Sequence, residues 1–114
     1  MEKARRKELL QAYAERELHQ GVFVIRCTGA GLAWTGAAQD LTKAQNKHWS
    51  QLRFRGHPNR ALQQAWAAHG EAAFTYEVLE ELKPGDLTPA GFRDALKTAE
   101  MRWRQELSAS SVAP

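Results

Sequence analysis

The sequence predicts an α+β domain in which helices flank a small three-stranded antiparallel sheet, with an added helix at the N-terminus. Three observations predict this. Val22–Cys27 and Leu32–Gly36 are short apolar runs separated by the glycine-rich Thr28-Gly29-Ala30-Gly31, the pattern of a hairpin. Three later stretches carry apolar residues at helical spacing, each behind a capping residue. Between the second and third of them, Phe74, Tyr76 and Val78 alternate with Thr75, Glu77 and Leu79, as a strand covered more on one face requires. Helices packed on such a sheet form an α+β layer arrangement.

Taken in order, Glu2 to His19 place Leu9, Leu10, Tyr13 and Leu18 on one stripe among charged residues, which predicts an amphipathic first helix over 1–20. Gln20 and Gly21 break that pattern before the hairpin. Asp40 is a natural cap for a helix running to Arg55, whose inward face carries Leu41, Ala44, His48 and Leu52. Gly56-His57-Pro58 ends it, Asn59 caps a helix from Arg60 to His69, and Gly70 closes that one. The strand around Phe74–Val78 must then pair with the hairpin. Thr88-Pro89 reads as a cap and first-turn proline, followed by Phe92, Leu96, Ala99, Trp103 and Leu107 at three- and four-residue steps. One domain is expected over 21–107, with 108–114 as a flexible tail of small polar residues.

Composition narrows the classes. The 114 residues are 43% hydrophobic and 25% charged, close to an ordinary globular domain and large enough for a core without staples. A single cysteine, Cys27, excludes an internal disulfide framework and a thiolate zinc site, and suits a reducing, cytoplasmic setting. No run approaches the ~18 apolar residues of a membrane span, so no membrane partner is expected. The net charge of +3 favours a polyanion, although four of the 16 basic residues, Lys3, Arg5, Arg6 and Lys7, cluster near one terminus.

Particular residues resemble the GIY-YIG family of nucleases. Gly21-Val22-Phe23 stands where that family has its first tripeptide, and Trp34-Thr35-Gly36 where it has the second. Gly36-Ala37-Ala38-Gln39-Asp40-Leu41 is similar to the glycine, small residues and cap that precede the family's helix. The run His57 to Gln63, with Trp66, Gly70, Phe74 and Glu77 to Leu82, resembles a small bacterial subgroup. The match spans roughly Glu8 to Leu107, almost the whole chain.

The resemblance implies an endonuclease domain acting on DNA, in repair or processing, by metal-dependent hydrolysis of a phosphodiester. Mg²⁺ is the implied cofactor, since a hard cation takes oxygen ligands and keeps waters that can become the nucleophile. Glu100, in Glu100-Met101-Arg102-Trp103, matches the metal-binding glutamate. It is equally a helix-surface glutamate paired with Arg104 four residues on. His48 matches a position where members carry histidine or tyrosine, and its imidazole suits proton transfer near neutrality. It shares a face with Leu41 and Leu52, so a satisfied core histidine is the competing reading. His57 matches a second histidine of some homing-type members, while His-Pro-Asn is also simply a turn and cap.

Three positions depart from the family pattern. Phe23 replaces the first tyrosine and has no hydroxyl, and Trp34 replaces the second and offers only an N–H donor. Ala44 stands where the arginine is expected, with Lys47 about 60° away around an ideal helix as a partial substitute. Groups that act together fail together, so these losses weigh against efficient hydrolysis. A nucleic-acid-binding module that kept the surface and lost the chemistry is therefore an alternative. Lys43, Lys47, Arg53, Arg55 and Arg60 would form its surface, with Trp49 as a stacking face. A further alternative is self-association through the N-terminal helix.

Overall fold

The computed structural model describes residues 19–114. The expected N-terminal helix, and the self-association assigned to Leu9, Leu10 and Tyr13, lie outside the described residues. From Gly21 onward the order of elements is as the sequence predicts until the last few residues. Strand β1 (Gly21–Cys27) and strand β2 (Leu32–Ala38) form the hairpin, followed by helix α1 (Leu41–Arg53) and helix α2 (Arg60–His69). One 3₁₀ turn (Glu71–Ala73) leads into strand β3 (Phe74–Glu81), and helix α3 (Pro89–Glu106) follows.

The sheet has four strands, not the expected three, in the order β3-β1-β2-β4. The added strand β4 is Ser110–Ser111, within the segment expected to be a tail, and it pairs parallel with Trp34 and Thr35, so the sheet is mixed. Backbone hydrogen bonding explains it. The Val112 amide donates to the Thr35 carbonyl at 2.8 Å, and the Asn59 side-chain amide donates to the carbonyls of Ser111 and Val112 at 3.0 and 3.3 Å.

Strand β1 is central and covered on both faces, which is why its residues read as a continuous apolar run and not as an alternation. Phe23, Ile25 and Cys27 face one way and join Leu41, Leu52, Leu62, Trp66 and Phe74 in a single core cluster beneath α1 and α2. Val22 and Val24 point the other way, toward the helix α3, whose buried residues are Phe92, Leu96, Ala99 and Glu100. The sheet is thus the middle layer between two helix layers.

Each long helix begins as its cap dictates. Asp40, Asn59 and Thr88 accept from the backbone amides of Lys43, Leu62 and Gly91, satisfying donors left free in the first turn. Two glycines are demanded by close approach. A Cβ at Gly21 would lie 1.9 Å from the Glu80 carbonyl oxygen, beside the bulge where β1 and β3 shift register. A Cβ at Gly36 would lie 2.5 Å from the Phe23 ring and 2.6 Å from Val112. No helix among the described residues is long and apolar enough to cross a membrane.

Candidate functional site

His48 on α1 and His57 in the α1–α2 loop come together, with His48 Nδ1 2.8 Å from His57 Nε2. The loop is knit so that this contact is imposed. The His57 amide donates to Gln63 Oε1, whose Nε2 in turn donates to the Leu52 carbonyl at the end of α1, both at 3.0 Å. The Asn59 amide donates to His57 Nδ1 at 3.0 Å. A backbone N–H can only donate, so His57 Nδ1 carries no hydrogen and the neutral ring holds it on Nε2. That hydrogen points at His48 Nδ1, which must accept it. His48 therefore carries its own hydrogen on Nε2.

This chain of donors opposes protonation at both rings. Burial first, then the facing His57 and the Lys47 ammonium, push His48 down from 6.5 to about 4. Burial and Lys47 likewise hold His57 below its ordinary value. In this arrangement the neutral His48 presents a donor at Nε2.

The pair lines a cleft of about 520 Å³ together with Phe23, Lys43, Ala44 and Lys47. Both lysines are exposed at its rim. Phe23 is 1% exposed, stacked on Tyr76 at 5.0 Å and tilted against His48 at 5.5 Å. At this motif position the ring supplies packing for the histidine and no proton chemistry. The structure places Trp34 elsewhere: at 3% exposure it sits in the core against Phe74, outside the cleft lining. Its strand alternation explains this, because Trp34 shares the α1–α2 face with Ile25, its cross-strand partner.

Tyr76, which the sequence marks only as a strand residue, stacks on Phe23. Its hydroxyl donates to the Leu41 carbonyl at 2.7 Å, and burial, with Asp40 nearby, pushes it well above its usual value. The alternation that identified the strand could have shown that Tyr76 and Phe23 share a face.

Glu100 is buried at 7% exposure, one residue along from the apolar stripe. Its Oε2 accepts from the Thr35 hydroxyl at 3.0 Å and from Arg104 Nε at 2.9 Å, and its Oε1 accepts from the other arm of the same guanidinium. This bidentate pair is the i,i+4 partner that the sequence allowed. Oε2 thus accepts two hydrogen bonds and Oε1 one, so of the carboxylate's lone pairs only one on Oε1 is left for a divalent ion. Among the described residues no three His, Cys, Asp or Glu side chains gather to hold a metal ion. Glu100 is the residue that would hold a divalent ion such as Mg²⁺, and such an ion would compete with Arg104 for the carboxylate.

Glu100 and the histidines border adjoining hollows. The Glu100 hollow, about 340 Å³, includes Arg93 and Lys97 and shares Ala37, Ala38, Gln39, Val112 and Ala113 with the histidine cleft. The C-terminal segment is therefore a wall between the two.

The basic row divides. Lys43 and Lys47 belong to the histidine cleft, while Arg55 and Arg60 line a neighbouring hollow that also includes His57. Arg53 lies outside both linings, and Glu71 accepts from its guanidinium in two hydrogen bonds of 2.8 and 2.7 Å. Trp49 is not a free stacking face either. It is partly buried, edge-on to Trp66 at 5.5 Å and to Tyr76 at 6.1 Å.

Among solved structures, the chain is similar to the catalytic domain of the homing endonuclease I-TevI, at 25% identity over 83% of this chain and 99% of that one, with a TM-score of 0.68. It is also similar to the catalytic domain of the intron endonuclease I-TevI bearing a glutamate-to-alanine substitution, at 23% identity over 82% and 93%, with a TM-score of 0.68. The chain matches no protein-family model and no curated protein sequence. These likenesses show a GIY-YIG-like α+β fold, and a domain of the nuclease type.

Proposed function

We propose that this chain is a DNA-binding domain of the GIY-YIG nuclease type that grips the phosphodiester backbone in the His48–His57 cleft. With its side chains arranged as described, it holds DNA without hydrolysing it. The observation that carries this reading is the hydrogen bond from the Asn59 amide to His57 Nδ1. Through His57 it leaves His48 a donor, in a cleft whose other charged groups include the Lys43 and Lys47 ammoniums. Donors and cations are what phosphate oxygens require, and salt-sensitive affinity follows from the counterions they release. Asp40 also borders the cleft, but one carboxylate oxygen caps α1. The residues that in the family pattern would remove a proton or clamp the scissile phosphate are replaced at Phe23, Trp34 and Ala44. DNA, and not RNA, is proposed because the similar solved domain is that of a homing endonuclease. A cytoplasmic role in DNA processing, in the manner of the small bacterial proteins that the His57–Gln63 and Glu77–Leu82 segments resemble, completes the proposal.

Metal-dependent hydrolysis is the second reading, and one observation favours it. Glu100 is separated from the histidine cleft only by walls that the two hollows share, among them the C-terminal Val112 and Ala113. The test is incubation of supercoiled plasmid with native protein and Glu100→Ala, with Mg²⁺ or Mn²⁺, beside a gel-shift assay at low salt. A shift without nicking is expected. Nicking that disappears in Glu100→Ala replaces the first reading by the second, and neither a shift nor nicking overturns both.

A further inference from the structure

Helix α1 ends in Arg53-Phe54-Arg55-Gly56, and this end is built in an unusual way. Phe54 is 83% exposed, whereas the other exposed large hydrophobics among the described residues lie between 42% and 51%. The turn that carries it is held by three constraints. The Gly56 amide donates to the Gln51 carbonyl at 2.8 Å and the Arg55 amide to the Leu52 carbonyl at 3.2 Å, the paired bonds of a Schellman motif. Arg53, one residue earlier, is tied to Glu71 through both arms of its guanidinium. Arg55 occupies the left-handed position at φ 60°, where glycine is the unstrained choice and an arginine is the strained one.

The surroundings select a partner. Arg55 and Arg60 line the hollow beside this turn with His57, Gln63, Gln64 and Ala67, a lining that holds two cations and no carboxylate. His57 borders both this hollow and the histidine cleft, so the two are neighbours. One apolar ring among cations is too small a patch for a protein interface, but it matches a nucleobase face with phosphates on either side.

We propose that Phe54 is a base-stacking residue, and that the chain prefers DNA presenting unstacked bases, such as a single-stranded gap, next to the duplex held in the cleft. This rests on the DNA-binding reading above. It adds the substrate class, since stacking on an aromatic ring is independent of base identity but needs a base face that is accessible.

The test uses the full chain, its Phe54→Ala variant and its Phe54→Trp variant, against a fluorescently labelled duplex and the same duplex carrying a short single-stranded gap. Native protein is expected to bind the gapped DNA more tightly. Phe54→Ala lowers gapped-DNA affinity by roughly ten-fold with duplex affinity unchanged, and Phe54→Trp retains it. Equal binding of gapped DNA by native protein and Phe54→Ala overturns the stacking role while leaving the cleft intact. Failure of the native protein to bind either DNA overturns the cleft reading, and this one with it.

Discussion

His57 Nε2 donates to His48 Nδ1 across 2.8 Å, and the Asn59 amide on the far side of His57 fixes the direction of that hydrogen bond. The pair is stable as two neutral rings. His48 in the unfolded chain takes up its proton near 6.5, and in the folded chain only near 4. Between those values the unfolded state binds more protons, so stability is full above the upper value and is lost as pH falls toward the lower. His57, also held below its ordinary value, acts in the same direction. Melting temperature is expected to fall through this window in native protein and to fall less in His48→Phe. An NMR titration placing the His48 midpoint near 6.5 would contradict the relay.

Thr35→Val tests the buried carboxylate. The change is close to isosteric and removes the hydroxyl that donates to Glu100 Oε2, leaving Arg104 as that oxygen's partner. Losing one hydrogen bond to a buried charge is expected to cost about 1–3 kcal/mol in denaturant unfolding. A change within error would mean that the hydroxyl contributes nothing there.

Gly36→Ala is expected to destabilise by about 1–3 kcal/mol, because its methyl group meets both Phe23 and Val112 well inside contact distance. Combining it with Val112→Ala removes one of the two clashes and should recover part of the loss. Additive losses in the double variant would show that Val112 does not lie over Gly36.

Ending the chain at Ser108 deletes β4 and the wall between the two hollows. Stability is expected to fall by on the order of 1–2 kcal/mol from lost apolar burial. DNA affinity is expected to rise several-fold as the cleft opens, measured by the same gel shift. Unchanged affinity would show that the segment does not restrict the cleft.

The legible parts of the fold are those whose signal lies within a few residues. Asp40, Asn59 and Thr88 each cap the helix that follows, and all three caps form as expected. β4 was hidden because two serines carry no periodicity, and its pairing depends on Asn59, more than fifty residues away. The Glu100–Arg104 pair was visible at four-residue spacing, but Thr35 as its third partner depends on which face of β2 meets α3. His48 and His57 were both singled out, yet their mutual contact, and with it the tautomer that makes His48 a donor, arises from the Gln63 and Asn59 hydrogen bonds in the intervening loop. Trp34 was read through a motif position, whereas strand parity puts it in the core.

The central claim is that Lys43, Lys47 and the histidine pair hold phosphates. DNA affinity as a function of salt, for native protein and for the Lys43→Ala, Lys47→Ala double variant, tests it most directly. Log affinity is expected to fall linearly with log salt, and the double variant to lose about two units of that slope, ~0.9 for each phosphate contact removed. A native affinity indifferent to salt, or a slope unchanged in the double variant, would contradict it.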